Sequence, residues 1–157
     1  MSYINADGLQ VLTNGDQGVP KNLGQALGEV TKTLVFNLEN AALLPASPAA
    51  PAPNDPFIPA GAFITGAYLI VTTGFAGTNA VLNIGLQTAA GVAIDADGID
   101  AAVAVAALAA GKAVVNDGAL VGGTATVGSA PAYLSIDYDT AAFTAGAAKL
   151  VIEYITV

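Results

Sequence analysis

Two stretches near the end of the chain alternate apolar and polar side chains one for one. In 133–139, Leu134, Ile136 and Tyr138 fall on one side and Ser135, Asp137 and Asp139 on the other; in 149–155, Leu150, Ile152 and Tyr154 oppose Lys149, Val151 and Glu153. A period of two is that of a β-strand with one buried face. Residues 140–148 between them suffice for an elaborated hairpin or for a crossing from one sheet to another. The last strand is expected to hold the chain's end inside a sheet. The same alternation marks 31–39, where Leu34, Phe36 and Leu38 oppose Val35, Asn37 and Glu39, and 80–88, where Leu82, Ile84 and Leu86 face in and Val81, Asn83, Gly85 and Gln87 face out.

The run from Ile58 to Val71 opens on a Pro59-Ala60-Gly61 turn and becomes apolar on both faces, Tyr68 and Ile70 being opposed by Leu69 and Val71. Such a strand is expected to be covered on each side or to sit at a subunit interface. With 72–79 as its turn, it is predicted to form a hairpin with 80–88. Residues 101–110 carry two readings. Asp100 and Gly111 suit the two ends of a short helix, whereas Ala-Val-Ala-Val alternates as a strand does. Weak strands are expected at 112–115 and 120–127, split by the Asn116-Asp117-Gly118 turn.

Residues 45–59 hold six of the eight prolines. Missing so many N–H donors, they are predicted to run over the surface as a long loop joining two strands of one domain. Residues 1–30 are rich in Gly, Asn, Asp and Gln, with a short strand expected near Leu9–Thr13 and a turn at Asn14-Gly15-Asp16. They read as an extended N-terminal arm that packs on its own domain or orders against a neighbouring subunit. Seven or eight short strands with hardly any amphipathic helix predict an all-β, antiparallel β-sandwich over 31–157.

Charge narrows the partners. The chain has 157 residues, a net charge of -8, four Lys+Arg against twelve Asp+Glu, and no His, Cys or Trp. Without clustered cations, neither nucleic acid nor an anionic membrane is an expected partner. Although 54% of residues are hydrophobic, no unbroken apolar run reaches the roughly 18 residues of a spanning helix, and the first residues lack a signal-peptide pattern. Synthesis in a cytoplasm without secretion is the expectation.

Catalysis is not expected. Without His or Cys there is no Ser-His or Cys-His pair and no ordinary zinc site, and neither a Gly-x-Ser-x-Gly elbow nor a phosphate-cradling loop occurs. Asp137 and Asp139 share a strand face roughly 7 Å apart, but that face reads as solvated and Trp platforms for a sugar are lacking. One acidic cluster has two readings. Asp95, Asp97 and Asp100 surround Gly98, which suits either an Asp-Gly turn with a helix cap or a calcium site of hard oxygen ligands.

The sequence Ile58-Pro59-Ala60-Gly61-Ala62, the acidic turn 95–100, the passage to Leu108-Ala109-Ala110-Gly111 and the closing run 145–154 resemble, in style and order, the head-decoration or cement proteins of tailed bacteriophages. The resemblance covers 57–157. It implies a jelly-roll-like sandwich in a virion, on the capsid surface, made in the host bacterial cytoplasm. Its implied partner is the major capsid protein, whose neighbouring subunits it would clamp, with homo-oligomers at capsid symmetry axes. Candidate contact residues are Tyr3, Ile4, Leu9, Val11 and Leu12 of the arm and Phe57 and Ile58 of the loop. Two rival readings are a receptor-binding or fibre-tip module recognising host glycan or protein, with calcium at Asp95, Asp97 and Asp100, and a surface-layer or pilus-like subunit.

Overall fold

The computed structural model describes residues 2–4, 10–12, 31–122 and 125–156. The chain divides between Val30 and Thr31 into two units. In the first, β1 (Ser2–Ile4) and β2 (Gln10–Leu12) form an antiparallel ladder with Tyr3 opposite Val11. The arm predicted to be extended therefore contains a two-stranded pairing, which includes the strand expected near Leu9–Thr13.

The second unit holds β3 (Lys32–Leu38), β4 (Phe57–Ile58), β5 (Phe63–Ala76), β6 (Val81–Gln87), β7 (Ala93–Ala104), β8 (Ala113–Val115), β9 (Ala132–Asp139) and β10 (Ala145–Ile155). They build two four-stranded sheets, ordered β3-β10-β5-β8 and β4-β9-β6-β7, with every pairing antiparallel. First pairs with last, second with last but one, and so inward to β6 with β7. One long folded hairpin rolled into two layers has this order, which is that of a jelly roll.

The alternation read in the sequence sets the inner faces. Leu82, Ile84 and Leu86 of β6 are fully buried, as are Leu150 and Ile152 of β10 and Leu69 and Val71 of β5. Burying such side chains contributes about 1.5 to 3 kcal/mol each before the loss of chain entropy.

Several expectations are corrected. β5 and β6 are not a hairpin: they lie in different sheets, and the connection between them crosses the sandwich. Strand β5 also continues through the predicted turn as far as Ala76, because its partner there is β10, with Ala76 opposite Ala145. The link from β9 to β10 likewise crosses between sheets. In 101–110 the strand reading holds up to Ala104, with Val103 turned inward, and only Val105–Ala107 makes a 3-10 turn. Of the strand expected at 120–127, the described residues show two isolated bridges, Val121 to Ile64 and Thr126 to Phe63.

The proline-rich segment does join two strands of one domain, leading from β3 in one sheet to β4 in the other. It is fastened down at two points. The Tyr138 backbone N–H donates to the Pro45 carbonyl at 3.1 Å, and Gln87 Nε2 donates to the Ala49 carbonyl at 2.9 Å. Gln87, predicted to face solvent, is thereby only 3% exposed. Among the described residues no helix is long and apolar enough to cross a membrane.

Candidate interaction surface

The outward face of the β3-β10-β5-β8 sheet carries apolar side chains where solvent would favour polar ones. In register, Val35 of β3 stands opposite Val151 of β10, Val151 opposite Tyr68 of β5, and Tyr68 opposite Val115 of β8. These four residues form a row across every strand of the sheet. Adjacent strands lie about 4.8 Å apart, so the row spans roughly 14 Å. Val35 is 50% exposed, Tyr68 38% and Val115 67%, and Ile70, one step along β5, is 43% exposed. The side chains between them, Leu69 and Leu150, are core. The strand that read as apolar on both faces is thus covered by the core on one side and open on the other.

Two charges flank the row on β10. Lys149 stands in line with Asn37 and Ile70, and Glu153 with Thr33 and Gly66. The absent side chain at Gly66 leaves room for the Tyr68 ring: a Cβ there would lie 3.3 Å from the Tyr68 hydroxyl and 3.5 Å from Glu153 Oε2. The ring therefore leans back along its strand over Gly66, which brings its hydroxyl end to the same side as the Glu153 carboxylate.

At the edge of the other sheet, Phe57 is 47% exposed and its ring sits 5.7 Å from that of Tyr133. Ile58, its neighbour, is fully buried. Alternation along β4 sends the two side chains opposite ways, so Ile58 serves the core and Phe57 is the one of the pair that faces outward. Tyr3, Ile4, Val11 and Leu12 lie on the β1–β2 ladder, and Leu9 lies outside the described residues.

The acidic segment 95–100 is not a turn leading to a helix. It forms a wide bulge inside β7: Asp95 pairs with Leu86 and Asp100 with Ile84, so β7 advances five residues while β6 advances two. The slack folds over Gly85, and the loop after β8 closes on it through Gly118 N–H to the Ile99 carbonyl and Leu120 N–H to the Gly98 carbonyl, both 2.8 Å. The bulge parts the carboxylates. Asp95 and Asp97 stay together, with the Asp97 N–H 3.4 Å from Asp95 Oδ1, whereas Asp100 is only 9% exposed and faces the charge of Asp117. Among the described residues no group of three or more acidic side chains is placed to hold a metal ion. The trio Asp95, Asp97 and Asp100 is therefore not gathered as the calcium reading required.

Burial raises the Asp100 carboxyl above its ordinary value, and repulsion from Asp117 adds to it; a hydrogen bond with the Ala101 backbone works the other way. Burial also raises Asp95 and Asp137, helped by Asp97 and Asp139 respectively. Asp137 thus lies on a partly covered face. Ser135 beside it is buried, although both had read as solvated.

No family model matches the chain, and no curated protein matches it in sequence. Its fold is similar to that of a chain in the capsid of Ralstonia phage GP4, with a TM-score of 0.53 and 17% identity over 82% of this chain and 85% of that one. It is also similar to a chain in the capsid asymmetric unit of cyanophage Pam1, with a TM-score of 0.57 and 16% identity over 98% of this chain and 97% of that one. At these identities the likeness is one of fold.

Proposed function

We propose that this chain is a structural protein of a tailed-phage virion that binds the outside of the capsid and stabilises it by clamping neighbouring major capsid subunits. The observation that carries the reading is the end-to-end likeness of fold to a chain in the Pam1 capsid. The open apolar face of the β3-β10-β5-β8 sheet supports it, since a protein that works alone in solution has no use for such a row. Gripping falls to the N-terminal segment with Tyr3, Ile4, Leu9, Val11 and Leu12, and to Phe57 beside the proline-rich loop. Each contact need only be modest. Several hundred Å² buried at about 25 cal/mol per Å² gives several kcal/mol before the cost of association, and repetition over a symmetric shell multiplies the effect.

Co-sedimentation with the capsid of the particle that yields the protein tests the reading. The full chain is expected to pellet with capsids at saturable stoichiometry, and deletion of residues 1–28 is expected to abolish this while the sandwich stays folded. Capsids that leave the full chain in the supernatant would overturn the capsid role; undiminished binding by the truncated chain would overturn the assignment of the grip.

A further inference from the structure

We propose that the outward face of the β3-β10-β5-β8 sheet is a self-association surface, on which a second copy of this chain docks about a two-fold axis at Val151. The axis lies in the contact plane and crosses β10 at right angles.

The charges select this occupant and this axis. Lys149 and Glu153 are the charged residues at the outward-facing strand positions of the sheet, two residues to either side of Val151. At about 3.3 Å of rise per residue they stand roughly 13 Å apart, too far to pair with each other along their own strand. An axis across β10 reverses the strand direction in the second copy. It keeps Val151 over the partner's Val151 and brings Lys149 over the partner's Glu153, and Glu153 over the partner's Lys149. An axis along β10 would instead stack like charges. A two-fold contact must be self-complementary, with residue i meeting j and j meeting i, and this strand satisfies that requirement with one pair used twice.

The chain as a whole carries -8, so two copies repel over most of their surfaces. On this face the two charges cancel, and the apolar row of Val35, Val151, Tyr68 and Val115 lies between them. The sheet is narrow, only about 14 Å from first strand to last at the usual strand spacing, which falls short of a standard interface of about 800 Å² per partner. The dimer is therefore weak and concentration-dependent in solution. It goes beyond the proposed capsid role without depending on it, because dimerisation is measured with no capsid present.

Sedimentation velocity of the full chain over a concentration series tests the proposal, using Lys149→Glu, Glu153→Lys and the double exchange, each checked for an unchanged melt by circular dichroism. The expected result is a reversible dimer weakened about tenfold by either single reversal, since each converts both symmetry-related pairs to repulsion, and recovered in the double exchange. A monomer at every concentration would overturn it, and is what a face reserved for the capsid would give. A dimer indifferent to the single reversals, or a double exchange no better than they are, would overturn it equally.

Discussion

Gly85 of β6 lies directly under the carbonyl of Ala96 in the β7 bulge, so closely that a Cβ on Gly85 would overlap that oxygen. The bulge can fold back over β6 only because position 85 has no side chain, and its far side is closed by Gly118, where a Cβ would lie 2.5 Å from the Gly98 carbonyl. Gly85→Ala is expected to cost about 3 kcal/mol or more, since backbone on both sides must move. Gly111→Ala, with open space around it but a φ of +78°, should cost only about 1 kcal/mol. Urea unfolding of the two variants measures the difference; equal costs would mean that the bulge does not sit on Gly85.

Ile152 and Val151 are neighbours on β10 with opposite fates. Ile152 is 1% exposed in the core, whereas Val151 belongs to the open row. Ile152→Ala should destabilise by about 2 to 5 kcal/mol and Val151→Ala by less than about 1 kcal/mol in the same unfolding assay. Comparable losses at both sites would contradict the assignment of faces.

The raised carboxyls of Asp95, Asp100 and Asp137 set the sign of a pH dependence. Each takes up its proton in the folded chain before it does so in the unfolded chain, whose reference value is 3.8. In their ionised form at neutral pH these groups lower stability. The loss is relieved as pH falls through their folded values, and the relief is complete below 3.8. The thermal midpoint should hold as pH falls from neutrality and rise as pH approaches 3.8, and Asp100→Asn should raise it at pH 7 and flatten that rise. A midpoint that drops steadily over that range would show that these carboxylates are stabilised by folding.

Gln87 fastens the proline-rich loop to the sheet, its Nε2 donating to the Ala49 carbonyl at 2.9 Å and lying 3.4 Å from the Leu134 carbonyl. Gln87→Ala should cost about 1 to 2 kcal/mol and speed amide hydrogen exchange around Asp55, whose N–H donates to the Ala52 carbonyl within the loop. Exchange unchanged there would mean that the loop keeps its place without the side chain.

Much of the sandwich was readable because a strand with one buried face writes its period into its own residues. That holds for Leu34, Phe36 and Leu38, for Leu82, Ile84 and Leu86, and for Leu150 and Ile152. What the period cannot tell is which sheet a strand joins. β5 and β6 looked like a hairpin because they are adjacent and both apolar, and only the pairing of β5 with β10 and β8 reveals the crossing. Gln87 and Ser135 read as solvated because alternation knows nothing of segments that return later to cover a face. The bulge of β7 was hidden for a similar reason: Asp, Ala and Gly imitate a free turn, and the pressure that shapes them comes from Gly85 and Gly118. In the interaction surface, Tyr68 and Ile70 were visible as a second apolar face. Val35, Val151 and Val115 became part of it only through register.

The capsid role itself is tested most directly by cryo-electron microscopy of the particle with which the protein purifies. Density for this jelly roll on the outer surface, at local symmetry axes where capsid subunits meet, is the predicted result, with the first thirty residues or the Phe57 edge touching the shell. Density confined to the tail, or a capsid surface bare at those axes, would contradict it.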